Sequence, residues 1–476
     1  MNRALALLFD RSRYELSRED LAGTALLMLL LVALPVAFAS TGKIFGDGDV
    51  SWHIAAGRWM LQHRAIPTVD PFSFTAAGKP WIAMEWLADL LYSGAFSLAG
   101  HAGVAGIVAA ALIGLQVIVF SHVRRSVGPI GIALTIAAMD AVLGAFLLAR
   151  PHLLVWPIMA AWTAILLRAA EAGKTPPWWS VLLLVVWTNV HASFPLAIVI
   201  AGAIALDALI AAKWRTLPQW TMFLALCVLA LLLNANGIRG VLQPFHITEL
   251  NMLPMIKEWQ PSSPALTPQF YGVLLLAVGL LLWRGVKLPI GQLLLLLVLL
   301  GLAFKQVRHQ EWLAIVAALI LPAHFHSEGW PKPGIKPFLL LAVAAVAVRM
   351  AVPIVPSETN ADPTRLIAAV PPQLRSQPVL NGYSFGGPLI LAGIRPYIDG
   401  RAEMYGDAFF ADYVEITDGN IAAFNRAVQR YDIRWTMLPV SEKELIERIE
   451  ASGEWRRIYS DDVGVIDVRI SRPQRH

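Results

Sequence analysis

Along this chain apolar residues gather into runs of about 20, the length an α-helix needs to cross roughly 30 Å of hydrocarbon. Eleven such runs can be read, at residues 21–40, 103–123, 130–149, 153–168, 178–187, 196–212, 220–233, 271–283, 288–304, 312–325 and 337–355. Charged residues fall mostly between them. The stretch 178–212 is tight: its 35 residues reach only about 52 Å as helix, barely two crossings. The polar break at 189–195 must therefore lie at or below a membrane surface, where irregular backbone is tolerated only against protein or a water-filled cavity. Asn189 and His191 are expected to line the floor of such a cavity. After residue 356 the pattern changes. Charged residues become frequent, and short β-like runs at 379–380, 396–399, 433–438, 457–459 and 463–468 alternate with helical ones at 408–416, 421–431 and 442–451.

The expected architecture is a polytopic α-helical membrane protein of about 11 transmembrane helices (residues 1–356, with a large first outer loop at 41–101), followed by a small α/β domain at 357–476. Arg11, Arg13 and Arg18 precede the first run, and Arg124 with Arg125, Arg168 with Lys174, Lys213 with Arg215, and Arg284 with Lys287 fall in alternate loops. Basic residues in short loops stay cytoplasmic, so the N-terminus is expected inside and, after an odd number of crossings, the C-terminal domain outside. The first run follows about 20 residues of mixed charge and exceeds the core of a cleaved signal. It reads as a retained anchor, although Ala37-Phe38-Ala39 resembles a cleavage site.

Composition agrees: 57% of the 476 residues are hydrophobic and 15% charged, against roughly 25% charged in soluble domains. The net charge of +5 is explained by Lys and Arg near lipid headgroups and calls for no nucleic acid. The single cysteine, Cys227, lies inside an apolar run, so no intrachain disulfide can form. No internal repeat, nucleotide-binding glycine loop or zinc-ligand cysteine pattern is present.

Candidate chemistry concentrates in the loop at 41–101, which is far longer than a connection needs. It carries Trp52, Trp59, Phe72, Phe74, Trp81 and Trp86 and two stretches, 49–63 and 84–98, readable as interfacial helices. On the first, Asp49 and His53 share a face; on the second, Glu85 and Asp89 do. The pair Asp47-Gly48-Asp49 can accept a proton from an attacking hydroxyl or hold Mg or Mn, or it can simply cap the helix that follows. Other polar groups fall on the same side: Arg150 and His152, Asn189 and His191, Asn234, Asn236, Arg239 and His246, and Lys305, Arg308 and His309. Cations at outer helix ends run against the positive-inside tendency. A lipid phosphate would explain them, as would headgroup snorkelling. Asp140, deep in the third run, is read as a packing residue, and His324 and His326, on the opposite side, as structural.

Several motifs carry a family resemblance. They are the stretch from Asp47 to Arg58, Ile66-Pro67, Asp70-Pro71-Phe72-Ser73-Phe74-Thr75, Gly78-Lys79-Pro80-Trp81 and Glu85-Trp86-Leu87, then Asn381-Gly382-Tyr383 to Gly387, Tyr397-Ile398-Asp399-Gly400-Arg401 and Tyr405-Gly406-Asp407. Together they resemble bacterial multispanning members of the GT-C glycosyltransferase superfamily, in a subgroup with a C-terminal extracytoplasmic module. The resemblance implies an enzyme of the bacterial inner membrane that moves a sugar from a polyprenyl-phosphate-linked donor to a lipid, glycan or protein acceptor on the outer face. It makes Asp49, and after it Asp47, the candidate general base or metal ligand. Many such relatives need no metal, so either no cofactor or a divalent cation at Asp47 and Asp49 is expected. Under this reading Asp49 deprotonates the acceptor and the reaction inverts. Arg150, Lys305, Arg308 or His309 balances the leaving phosphate, and His53, Glu85, His152, Asn189, His191, Asp399 and Arg401 contact substrate. The loop at Asp399-Gly400-Arg401 is either a sugar contact or a turn fixed by its own Asp and Arg. Two other classes share the architecture: a lipid-linked glycan transporter, which should show related halves that this sequence lacks, and a non-catalytic envelope scaffold.

Overall fold

The computed structural model describes residue 23 and residues 27–325, 335–356 and 363–470. Arg11, Arg13, Arg18, His326 and the junction after residue 356 lie outside the described residues. Every apolar run read from the sequence is helical over most of its described part. The helices that position the site are α1 (Leu29–Ala39), α2 (Asp49–His63), α3 (Trp86–Val123), α4 (Pro129–Leu143), α5 (Pro151–Glu171), α6 (Val181–Val190), α7 (Pro195–Ala211), α8 (Leu217–Ala230), α9 (Gly237–Thr248), α10 (Pro268–Arg284), α11 (Ile290–Lys305), α12 (Gln310–Ile320) and α13 (Ile335–Ala351). Among the described residues three are long and apolar enough to cross a membrane: Trp86–Val123, Pro129–Phe146 and Pro151–Glu171. Seven more are apolar but only 10–17 residues long. Proline sets the start of long and short helices alike: Pro129, Pro151, Pro195 and Pro268 each stand at a first helical position, where the missing N–H costs nothing and the chain before it leaves the helix. The outer faces of α10 and α11 expose Leu275, Leu276, Leu282, Trp283 and Leu297, an apolar surface too extensive for water.

The loop helix expected at 84–98 and the span that follows are one element. Helix α3 bends at Ala99 and at Gly100, whose φ of 58° lies in the left-handed region that glycine adopts without strain. Helix α2 lies across its first half, and Gly57 makes the approach possible because a Cβ there would strike the Asp89 carbonyl and come 2.7 Å from Ser93 Cβ. Deep in the bundle, Gln116 Nε2 donates to Asp140 Oδ1 at 2.6 Å, a helix-to-helix contact in keeping with a packing role. His324 meets Gln292 at 2.8 Å.

The C-terminal domain holds a four-stranded sheet in the order β1 (Val379–Asn381), β2 (Trp435–Pro439), β4 (Gly464–Arg469), β3 (Trp455–Ser460), parallel between β1 and β2 and antiparallel elsewhere. Side chains alternate across it. Val379, Trp435, Met437 and Ile466 pack on one side with Phe385 and Leu389; Leu380, Leu438 and Val465 pack on the other with Phe410, Phe424 and Leu445. Residues 396–399, expected as a strand, have no strand structure. The Asn381 side chain takes over the pairing there, accepting from the Tyr397 N–H at 2.8 Å and donating to the Ile398 carbonyl at 2.9 Å. Trp52 and Trp81 do not lie open at headgroup depth; they are buried with Ala56, Met60 and Ile390 between α2 and the C-terminal domain.

Candidate active site

Asp49 is the first residue of α2. Asp47 supplies the turn before it, its Oδ1 accepting the Asp49 backbone N–H at 2.7 Å. Capping and chemistry are thus divided between the two acids, for the Asp49 carboxylate reaches Arg150 Nη2 at 2.8 Å. Arg150 precedes Pro151 at the start of α5, and its carbonyl accepts from Tyr92 Oη at 2.9 Å. The same guanidinium pairs with Asp47 and, through Nη1, with Glu258 Oε2 at 2.7 Å. A second guanidinium follows: Arg308 lies 3.5 Å from Glu258 Oε1 and 4.2 Å above the Trp259 ring.

This packing sets the proton affinities. Burial raises the Asp49 carboxyl, Arg150 opposes it, and the neighbouring Asp47 and Glu258 carboxylates add to the rise, leaving Asp49 at about 7. Burial would raise Glu258 too, but Arg150 and Arg308 together hold it down at about 2. Glu85 is lifted to about 8 by burial and by Glu403. Burial, with Arg150 beside one and Arg308 beside the other, pushes His53 and His191 well below the usual imidazole range, so both are neutral at pH 7. They flank Glu85, His53 Nε2 at 3.7 Å and His191 Nε2 at 3.5 Å, while His53 Nδ1 lies 2.6 Å from Asp89 Oδ1 and His191 Nδ1 2.9 Å from Ser193 Oγ. His152 meets the Phe146 carbonyl at 3.0 Å and lies 3.8 Å from Glu311.

A cavity of about 990 Å³ joins these groups. Of the residues singled out in the sequence, Asp47, Asp49, His53, Glu85, Arg150, His152, His191, Arg308, His309 and Arg401 line it. Others lie elsewhere. Lys305 is exposed and outside the lining. Asn189 is spent on structure: its Nδ2 donates to the Val185 and Leu233 carbonyls, both at 2.8 Å, and its Oδ1 accepts from Trp86 Nε1 at 2.7 Å. Asp399 is fully buried under the cavity wall. It accepts from Arg401 Nε at 2.8 Å, Arg401 Nη2 at 2.7 Å and Tyr405 Oη at 2.7 Å. Burial alone would raise Asp399; Arg401 holds it low. The Asp and Arg of that loop are locked on one another, and only its Gly400 and Arg401 reach the cavity. Of the remaining polar positions, Asn234 bridges its own turn by accepting from Asn236 N–H, and His246 is exposed.

Sequence reasoning passed over Glu258, Glu311 and Glu403 and gave Tyr383 no role beyond its place in a family motif, yet all four are in the lining. Glu258 left one trace, an acid beside Trp259 in an otherwise sparsely charged loop. Asp47, Asp49 and Glu258 all turn to the Arg150 guanidinium, and among the described residues no three His, Cys, Asp or Glu converge on a common centre. As arranged, these carboxylates are paired with arginine.

No family model and no curated protein matches the chain. Solved structures do: an archaeal oligosaccharyltransferase, AglB from Archaeoglobus fulgidus, in complex with an inhibitory peptide and a dolichol-phosphate, superimposes with a TM-score of 0.52 over 94% of this chain and 75% of its own, at 12% sequence identity. The likeness is one of fold, and it extends through the helical bundle into the C-terminal domain.

Proposed function

We propose that this chain is an integral-membrane glycosyltransferase that moves a sugar from a polyprenyl-phosphate-linked donor to an acceptor on the extracytoplasmic face of the bacterial inner membrane. One observation carries the reading: a carboxyl whose proton affinity is set near neutrality shares a single cavity with Arg150 and Arg308, beside an apolar wall of Leu196, Val199, Phe245 and Leu302. Such a wall suits a polyprenyl tail and the arginines suit its phosphate. The fold likeness to an enzyme captured with a dolichol-phosphate supports the same donor class. The apolar helices act as the membrane anchor, with the N-terminus cytoplasmic and the C-terminal domain outside.

In the proposed reaction Asp49 takes the proton of an acceptor hydroxyl. The hydroxyl oxygen bonds to the anomeric carbon from the side opposite the phosphate, the carbon–oxygen bond to phosphate breaks, and its electron pair leaves with the lipid phosphate. Configuration inverts. A positioned base of this kind contributes about 10²- to 10⁴-fold. Arg150 and Arg308 balance the phosphate charge, so the arginines fill the part a divalent cation would otherwise take. His53, Glu85, His152 and His191, hydrogen-bonding groups with no cation among them, are the proposed sugar contacts. Purified protein given a radiolabelled polyprenyl-phosphate sugar should form product, and Asp49→Asn should abolish it with the fold intact. Undiminished transfer by that variant would remove Asp49 as the base.

A further inference from the structure

The C-terminal domain meets the acid-bearing loop backbone to backbone. A Cβ on Gly387 would strike the Gly48 carbonyl, and one on Gly48 would strike the Ser384 carbonyl and come 3.2 Å from Pro388 Cδ. Next to this contact lies Gly400, where a Cβ would overlap Asp49 Oδ1 and sit 2.7 Å from its Cγ. The Asp49 carboxylate therefore rests between the Arg150 guanidinium and a bare Cα contributed by a residue 351 positions further along the chain.

The position of Gly400 is fixed on both sides. Arg401, its neighbour, is fully buried, with Asp399 on Nε and Nη2 and Asp70 Oδ1 on Nη1 at 2.8 Å, and its guanidinium lies 4.8 Å from the Trp81 ring and 5.1 Å from the Phe72 ring. Tyr383 Oη reaches the Gly400 carbonyl at 3.4 Å. Asp70, Phe72 and Trp81 belong to the same loop that carries Asp47 and Asp49, so that loop grips the C-terminal segment that closes over its own acid.

We infer that Gly400 is a positioning residue for Asp49: its missing side chain makes the wall that holds the carboxylate against Arg150, and the C-terminal domain is thereby part of the reaction site. This rests on the reading of Asp49 as general base, but it asserts something separate, namely where the carboxylate is held and by what. The alternative part for this domain, a module that binds acceptor at a distance, needs no glycine here.

The geometry supplies a selective test. In Gly400→Ala the new methyl meets the end of a rotatable side chain, and Gly400 has no positive φ, so the chain folds and the carboxylate turns away from Arg150. In Gly387→Ala the new methyl meets backbone, at the Gly48 carbonyl and 3.3 Å from the Trp52 nitrogen, so docking of the domain itself suffers. For Gly400→Ala we expect an unchanged melting temperature, a kcat lowered about 10²-fold, as for a misplacement on the order of 1 Å, and a donor KM within about twofold. A second readout needs no turnover: the infrared band of the protonated carboxyl that Asp49→Asn removes should titrate near 7 in the parent protein and shift its midpoint in Gly400→Ala. A parental kcat together with a parental titration in Gly400→Ala would overturn the inference. So would a loss of activity matched by a loss of melting temperature like that of Gly387→Ala, which would mark a purely structural glycine. Should Asp49→Asn retain transfer, the base assignment falls while the carboxyl titration still decides the contact with Gly400.

Discussion

At the scale of single residues, the site is governed by three carboxylates sharing two guanidiniums. Asp49 binds its proton more tightly in the folded protein than in the unfolded chain, because burial and its acidic neighbours outweigh Arg150. For a carboxyl raised in this way, the contribution to stability is fully present below the unfolded pKa and is lost as pH rises through about 7. Asp49→Asn, which keeps a neutral group there, should therefore gain melting temperature over the parent protein between pH 5 and pH 8, assayed by thermal unfolding in detergent across that range. Activity should move the opposite way: the base form is needed, so transfer should rise through about pH 7 and level off above it. A flat profile would argue for a different base. Arg150→Lys is a second test. A lysine offers one compact charge where the guanidinium meets Asp49, Asp47 and Glu258 together. We expect donor KM to rise at least tenfold and stability to fall by about 1–3 kcal/mol, as for polar groups left unpaired, read from donor titration and denaturation.

At the scale of elements, the site depends on how α2 lies against α3. The two helices carry His53 on one side and Glu85 and Asp89 on the other, and they approach through Gly57. Gly57→Ala puts a methyl against backbone at Asp89, so one helix must shift; overpacking of this kind costs about 1–3 kcal/mol. Gly202→Ala on α7, where a Cβ meets nothing within 4 Å, should leave stability the same or slightly raised. Thermal denaturation of the two variants side by side checks the contrast. Elements are also where the apolar pattern proved most legible. Helix α2 begins at Asp49 and ends at His63, as the aromatic and acidic pattern indicated, and every apolar run became helix over most of its described part. Helix lengths were less legible, because a run of Leu and Val shows burial without showing where the last turn ends, although proline marks several of the starts. The strand expected at 396–399 failed for a related reason: β-like composition cannot show that the Asn381 side chain will take its backbone pairing.

At the scale of the whole molecule, the buried set Asp70, Asp399, Arg401 and Tyr405 ties the first loop to the C-terminal domain. Arg395 Nη2 on the Ser73 carbonyl at 2.8 Å and Thr75 Oγ1 on the Tyr397 carbonyl at 2.6 Å add to the tie. Replacing Arg401 by Met would strand two carboxylates in a dry interface, a change that typically costs about 3–5 kcal/mol. The expected result is release of the C-terminal domain, seen as faster proteolysis between residues 356 and 379 together with loss of transfer. Retention of parental protease resistance would show that other contacts suffice to dock it.

The sequence by itself determined the predominantly helical class, because runs of apolar residues of helical length have few physical alternatives to apolar helices, and the composition break after residue 356 announces a differently built domain. It also pointed to Asp47, Asp49, Arg150 and Arg308, since charge among so many apolar positions is conspicuous. What it could not contain was the company those residues keep. Whether Arg150 reaches Asp49, whether Asn189 faces a cavity or three backbone and indole partners, and whether Asp399 meets a sugar or its own Arg401 depend on distances between segments up to hundreds of residues apart. Gly400 is the sharpest case. A glycine carries no chemical label of its own, and only the fold, by bringing its bare Cα against the Asp49 carboxylate, gives the missing side chain a consequence.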